Sequence, residues 1–224
     1  MIALQQFKVI FYNSLTNEWR NKERLFTPVL FALVIILIFK FTSTDFTPET
    51  EIKVLIGQIL VTCFLALQIS FQRIFELDEQ DGVFAQIQTY QVSPTSWFVA
   101  KFLNIVILSF FITSSVFFFL YLFHSEYSDT LCKFLIPISL AILSLSPLGI
   151  LLSALTMQAR GKQIIFPLLY FPLSTPVLIS SSSLCLGYAN QTPNGDSMSW
   201  LWLLIGICVV FFTVCLLLFS ELVE

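Results

Sequence analysis

The sequence of 224 residues is too apolar for a soluble globular protein, because 57% of its residues are hydrophobic and only 11% are charged. Its formal net charge of -3 comes from few charges and includes no broad basic field of the kind that binds nucleic acid. Composition therefore predicts a membrane protein with no nucleic-acid partner.

The first predicted element is an amphipathic helix within residues 1–24. Apolar side chains recur at helical spacing on one side, namely Leu4, Phe7, Phe11 and Leu15, with Trp19 at the edge. A helix of this kind is typically found in the membrane interface, where its basic residues face anionic lipid. A plain N-terminal tail is the alternative, because Lys8 and Glu18 interrupt the apolar side.

Six further stretches are long and apolar enough to form helices that cross a bilayer core about 30 Å thick. They cover residues 25–41, 54–71, 98–123, 132–156, 164–184 and 199–219. The fifth contains Pro167, Pro172 and Pro176, so we expect a kinked or broken helix. It either lines a substrate path or, as we favour, only packs against its neighbours. The predicted fold class is an all-α polytopic membrane protein.

The basic residues predict the orientation of these spans. If the N-terminus is cytoplasmic, eight of the 11 Lys and Arg residues lie inside, namely Lys8, Arg20, Lys22, Arg24, Arg73, Lys101, Arg160 and Lys162. Cytoplasmic loops carry such an excess of positive charge in most membrane proteins. Both termini are then cytoplasmic, and residues 72–94 form a cytoplasmic loop between the second and third spans.

This loop is unusually polar for the chain, with four acids in six positions: Glu76, Asp78, Glu79 and Asp81. Asp81-Gly82 is a turn signal, and the apolar residues after it predict a second amphipathic helix over residues 83–91. Ser93 and Pro94 are typical of the cap and first residue of the next helix. A connector needs only a few residues, so we interpret the loop as a docking site for a soluble partner rather than as a solvated linker.

No motif in the sequence predicts a catalytic, cofactor-binding or metal site. The Gly161-Lys162 pair lacks the preceding Gly and the following Ser or Thr of a phosphate-binding loop, so no Walker motif is present. The five cysteines include no C-x-x-C pair, and the lone His124 is typical of an interfacial polar residue rather than a ligand. No ionisable residue lies near the middle of a span, which disfavours an ion-coupled transporter.

Several blocks of the sequence together resemble one family. They are QRIFELDEQDG at 72–82, Ser93-Pro94, Ala100-Lys101, SPLGILLSAL at 146–155 and RGKQIIFPLLYFPLSTPVLI at 160–179. On these blocks the chain resembles the haem exporter protein B (CcmB) family, which are ABC-2-like permease subunits of the cytochrome c maturation system. The resemblance covers essentially the whole chain, and the blocks between 146 and 179 are its most specific part.

The resemblance implies a single transmembrane permease domain over residues 1–224, in the bacterial inner membrane and without enzymatic activity of its own. It implies a homodimer on two soluble ATPase subunits of the CcmA kind, which bind the ATP. A haem-handling membrane protein and a haem chaperone are further implied partners, and haem is the cargo or is held by a partner. The loop would enter a groove on the ATPase through the docking residues Arg73, Glu76, Asp78, Glu79, Asp81, Gly82, Phe84 and Ile87.

Two alternatives remain open. The chain could be an ABC-2 type exporter permease for another cargo, such as a lipid, a glycan or a drug, because the docking loop would look the same. It could also be a membrane scaffold that recruits soluble proteins and transports nothing.

Overall fold

The computed structural model describes residues 2–42, 48–76, 78, 93–157, 159, 161–189 and 195–223. Regular structure in these ranges is entirely helical, which confirms the predicted all-α fold. Seven α-helices and a short 3-10 helix at Ser125–Tyr127 occur there: α1 (Ile2–Arg20), α2 (Lys22–Thr42), α3 (Pro48–Gln72), α4 (Pro94–Phe123), α5 (Ser128–Thr156), α6 (Lys162–Ala189) and α7 (Gly195–Val223).

Helices α2 to α7 each contain a segment long and apolar enough to cross a membrane, which confirms the six predicted spans. The helix α4 begins at Pro94, as predicted, after Ser93 in an extended conformation. The Ser93 hydroxyl does not cap the helix and instead donates to Ser96 Oγ at 2.6 Å. The Ser93 carbonyl accepts the N–H groups of Ser96 and Trp97, so the backbone alone closes this first turn.

The helix α5 lies at the centre of the bundle, where it packs against α3, α4, α6 and α7. Its buried hydroxyls are satisfied within the helix, since Ser144 donates to the Leu140 carbonyl and Ser146 to the Ile142 carbonyl. Small hydroxylated residues of this kind let membrane helices pack closely. The helices α2 and α7, by contrast, leave most of their apolar side chains at the surface, as expected of a protein whose solvent is lipid.

The helices α3 and α5 approach each other closely at Gly149. A Cβ atom at this position would lie 2.5 Å from Cδ2 of Phe71, whose side chain is fully buried. Only a residue without a Cβ atom leaves room for the ring. Gly149 therefore sets the spacing between α3 and α5.

The helix α6 runs without interruption from Lys162 to Ala189, so the break that its three prolines suggested does not occur. Each proline removes one backbone N–H donor and crowds the carbonyl four residues before it, yet packing against α3, α5 and α7 keeps the chain helical through all three. The hydroxyls of Ser174 and Thr175 donate to the Phe171 carbonyl and are satisfied within the helix. This span therefore packs as an ordinary helix.

The predicted N-terminal amphipathic helix is present as α1, which packs against α4 and α2. Phe7, Phe11 and Leu15 of the predicted apolar side are partly buried, whereas Tyr12 and Thr16 are exposed. Asn21 alone separates α1 from α2. The apolar side of α1 thus meets protein, and its place in the membrane interface stays a prediction.

Candidate functional site

One end of the bundle brings together the segments that the sequence marked for docking. The junction of α1 and α2, the residues after α3, the start of α4 and the end of α7 meet there, and Phe75 contacts both Trp97 and Phe219. We call this the basic end, because it holds Arg24 and Lys101. It is the end that the basic residues predict to be cytoplasmic.

Three of the eight predicted docking residues are described: Arg73, Glu76 and Asp78. The other five lie outside the described residues, as does the predicted helix over 83–91: Glu79, Asp81, Gly82, Phe84 and Ile87. After α3 ends, the chain tightens into short-range turns, in which the Arg73 N–H donates to the Ser70 carbonyl and the Glu76 N–H to the Arg73 carbonyl. These turns bring Glu76 and Asp78 back toward the neighbouring helices.

Asp78 pairs with a lysine inside the bundle. Lys101, about two turns into α4, is only 6% exposed, and its Nζ lies 2.6 Å from Asp78 Oδ2. The contact lacks hydrogen-bond geometry, so charge attraction holds the pair, and the Phe75 ring adds a cation–π contact at 5.4 Å from Nζ. A buried ammonium is costly without such partners. Asp78 is thereby tied to α4.

Glu76 is tied to other helices through Arg24 at the start of α2. Nη2 of Arg24 lies 3.5 Å from Glu76 Oε2, and Nη1 donates a hydrogen bond of 3.2 Å to Glu18 Oε1 on α1. The side chains of Arg24 and Glu18 are 10% and 12% exposed, whereas that of Glu76 is 36% exposed. One guanidinium therefore joins α1, α2 and the segment after α3.

The buried position of the Glu18 carboxyl affects its ionisation. Burial raises the pKa of Glu18 above its ordinary value, and the attraction of Arg24 and Lys101 only partly opposes this effect. Repulsion from Asp78 raises the pKa further. Among the described charges of this group, Glu18 and Glu76 share one cation, Arg24, while Asp78 pairs with Lys101.

Aromatic side chains form the apolar layer beside these charges. The buried ring of Phe75 meets Trp97 edge-on at 5.6 Å and lies 6.2 Å from Phe219, and the latter two rings are 5.4 Å apart. Trp97 is 1% exposed and packs inside the protein. The residues that follow α3 are thus fixed on α4 and α7 by packing as well as by charge.

A cavity of about 260 Å³ opens at the basic end, between the end of α3, the end of α5 and the start of α6. Polar and apolar side chains share its lining: Gln72, Arg73, Phe75, Glu76, Ser153, Thr156, Met157, Gln163 and Phe166. Gly161, in the left-handed region at φ 91°, allows the turn that brings α6 back along α5. Arg73 and Glu76 both line this cavity, which therefore lies beside the Arg24–Glu76 pair.

At the opposite end of the bundle, a tyrosine on the short 3-10 helix meets a carboxylate on α3. The hydroxyl of Tyr127 donates a 2.7 Å hydrogen bond to Glu51, and this bond raises the pKa of Tyr127 to about 12. His124 is buried, and its Nδ1 has no hydrogen-bond partner among the described residues. Burial, together with the charge of Lys40, lowers the pKa of His124 against the opposing effect of Glu51. His124 is therefore a neutral buried residue near neutral pH.

In the part of the chain that the structure describes, no group of three or more His, Cys, Asp or Glu residues could hold a metal ion. The residues that sequence reasoning missed are Lys101, Arg24 and Glu18 as partners of the loop. Two signals in the sequence pointed to Lys101 and Glu18: Lys101 lies inside a predicted span, and Glu18 lies on the apolar side of a helix. Both positions demand a buried countercharge.

One of two comparisons with known proteins places the chain in a family. The family model described as CcmB protein matches residues 5–223, a range that contains all six spans and every residue of the basic end. A comparison with curated proteins gave no match.

Proposed function

Because the chain belongs to the CcmB family, we propose that it is the permease subunit of an ABC transporter whose separate ATPase drives a step of cytochrome c maturation. The family consists of permeases for haem export in this system, which work with an ABC ATPase. The six apolar helices make the chain an integral membrane protein, in agreement with that role.

The proposed location is the bacterial inner membrane, with both termini in the cytoplasm, as the basic residues suggest. There two copies of the chain bind two ATPase subunits, and a haem-handling membrane protein and a haem chaperone complete the assembly. The ATP binds to the ATPase. The step that it drives is haem export or release of the haem-loaded chaperone, with haem as cargo and not as a resident cofactor.

The observation that carries the docking part of this proposal is the anchoring of residues 73–78. This segment leaves α3 and is fixed at once to α4 through Lys101 and to α1 and α2 through Arg24. A simple linker between two spans needs no such attachment. An attached segment can pass a displacement to the spans.

In the proposed mechanism, the ATPase subunits close on ATP and push on the loop between α3 and α4. The start of α4 at Pro94 follows the loop directly, so α4 receives the displacement first. Packed helices respond to such a push by rotating or shifting as rigid units. The resulting change at the opposite end would alter how the haem-handling partners bind there.

The first test is affinity purification of the chain from its native membrane in mild detergent. Co-elution of a soluble P-loop ATPase with a haem-handling membrane protein supports the proposal. Recovery of an ATPase alone favours an exporter of another cargo. An intact chain without any ATPase would contradict the docking assignment and favour the scaffold.

The second test is Asp81→Lys, which reverses a charge that we assign to the docking surface. We expect normal insertion in the membrane but clearly weaker recovery of the ATPase. Asp129→Lys is the matched control, because Asp129 lies in the first turn of α5 at the opposite end of the bundle. Equal ATPase recovery from both variants would remove Asp81 from the docking surface.

The cargo is tested by deleting the gene and measuring c-type cytochromes and haem. Loss of c-type cytochromes, with normal b-type cytochromes and haem synthesis, is the expected outcome. Full retention of c-type cytochromes would contradict a role in their maturation while leaving the permease assignment to be judged by its ATPase.

A further inference from the structure

The segment that follows α3 is fastened at two points that lie on different helices. Asp78 is paired with Lys101 on α4 at 2.6 Å, and Glu76 is paired with Arg24 on α2 at 3.5 Å. Arg24 also holds Glu18 on α1 at 3.2 Å. We call these five residues the charge clasp.

The Lys101–Asp78 pair differs from an ordinary surface ion pair in its burial, as does Arg24 with Glu18, whereas Glu76 is 36% exposed. The side chains of Lys101 and Asp78 are 7% and 15% exposed, so water screens their attraction poorly. A buried ion pair adds little net stability compared with two well-packed apolar side chains, because both charges lose their hydration. Stability alone therefore does not account for five charged residues at this position, whereas a specific attachment does.

The side chains also suit an attachment through which movement of the segment after α3 could reach α4. The short distance and the burial of the Lys101–Asp78 contact limit how far the two backbones can separate before the pair breaks. The Phe75 ring packs against Trp97 of α4 directly beside the Lys101 pair. Movement of the segment is thus passed to α4 by packing and by charge at the same place.

We propose that the charge clasp transmits displacement of the docking loop to α4 and to the α1–α2 unit, an inference that rests on the proposed function. Glu76 and Asp78 are then positioning residues that face the bundle, and contact with the ATPase falls to other residues of the loop. Lys101 carries the displacement into α4. Arg24 carries it into α1 and α2, so that α1 moves with the permease.

The test measures binding and coupling separately on the complex purified with its ATPase. Lys101→Met keeps the length and packing of the side chain but removes its charge. We expect the ATPase to bind near the wild-type level, while stimulation of ATP hydrolysis by the permease falls by about tenfold, as for loss of a typical coupling energy. Lys22→Met is the matched control, since Lys22 is an exposed lysine at the same end, and it should change neither quantity.

A charge exchange separates a coupling role from a merely structural one. The double variant Asp78→Lys with Lys101→Asp reverses the pair, and we expect it to restore stimulation that either single variant loses. Membrane abundance is measured alongside, so that a variant that fails to fold is recognised, and the double variant then decides the outcome.

Three results would overturn the inference, and they are distinguishable. Unchanged stimulation in Lys101→Met with bound ATPase removes the coupling role alone. Loss of ATPase binding in proportion to stimulation, without recovery in the double variant, places these residues on the docking surface itself. Absence of any ATPase from the wild-type preparation contradicts the proposed function, and the inference falls with it.

Discussion

The two ends of the bundle are held together by different chemistry. At the basic end, ion pairs link Glu18, Arg24 and the partly exposed Glu76 and, separately, the buried pair of Asp78 and Lys101. At the opposite end, the Tyr127 hydroxyl donates a hydrogen bond to Glu51, beside the buried His124. The comparison indicates that, among these contacts, paired charges fix the segment after α3, whereas a hydrogen bond from a neutral hydroxyl links α3 to the short 3-10 helix before α5.

Among the variants that test this difference between the two ends, removal of Arg24 should give the largest loss in the free energy of unfolding. Arg24→Met leaves the buried carboxylate of Glu18 without its cation, and we expect a loss of about 3 kcal/mol in the free energy of unfolding. Chemical unfolding in detergent, followed by tryptophan fluorescence, measures it. The control Lys22→Met should leave the free energy of unfolding unchanged, because Lys22 is exposed. Similar unfolding of both variants would mean that the basic end does not depend on buried charge.

Enlarging Gly149 should give the next largest effect. Gly149→Ala places a methyl group against Phe71, so overpacking should cost about 2 kcal/mol. Thermal unfolding in detergent measures the change, and adding Phe71→Leu should recover part of it. Gly57→Ala is the control on α3, because no atom lies within 4 Å of a Cβ there. Equal stability of the two alanine variants would contradict the close approach of α3 and α5.

Loss of the tyrosine bond at the opposite end should cost less. Tyr127→Phe removes the hydrogen bond to Glu51, and its partial exposure limits the expected loss to about 1 kcal/mol. Tyr121→Phe, at an exposed position on α4, serves as the control. A loss as large as that of Arg24→Met would erase the difference between the two ends.

The two ends should also respond to pH in opposite directions, with the smallest effect. The pKa of Glu18 is raised above 4.5 in the folded chain, so stability falls as pH rises from 4.5 through the higher folded value. The pKa of His124 is lowered below 6.5, so stability falls as pH drops from 6.5 through the lower folded value.

Unfolding curves between pH 4.5 and pH 7 resolve these two contributions. Glu18→Gln should flatten the loss of stability toward high pH, because Gln carries no proton to release. His124→Gln should flatten the loss toward low pH, where His124 must otherwise take up a proton close to Lys40. A pH profile that neither variant alters would exclude both groups as sources of pH dependence.

The spans were predictable from the sequence because length and apolar composition decide whether a helix can cross a bilayer. The start of α4 was predictable because Pro94 belongs at the first position of a helix. The break in α6 was wrongly expected, because the sequence does not show how much packing with α3, α5 and α7 supports a proline-rich helix.

The charge clasp was not predictable in the same way. Arg24 and Glu76 are far apart in the sequence, and no periodicity links residues on different helices. Glu18 and Lys101 each looked out of place, one on an apolar side of α1 and the other within a span, but neither position names its partner. The helix over residues 83–91 stays a prediction, and with it the contact residues from Glu79 to Ile87.

The contact between Phe71 and Gly149 also bears on how the spans can move. The ring occupies the space that a side chain at residue 149 would fill, so α3 cannot slide along α5 until the ring leaves that notch. Interdigitated surfaces of this kind exchange between discrete positions and do not shift gradually. In the proposed mechanism, a push delivered at Phe75, one turn beyond Phe71 on the same segment, therefore has two possible outcomes. Either α3 and α5 move as one body, or the Phe71 ring moves by a full step along α5.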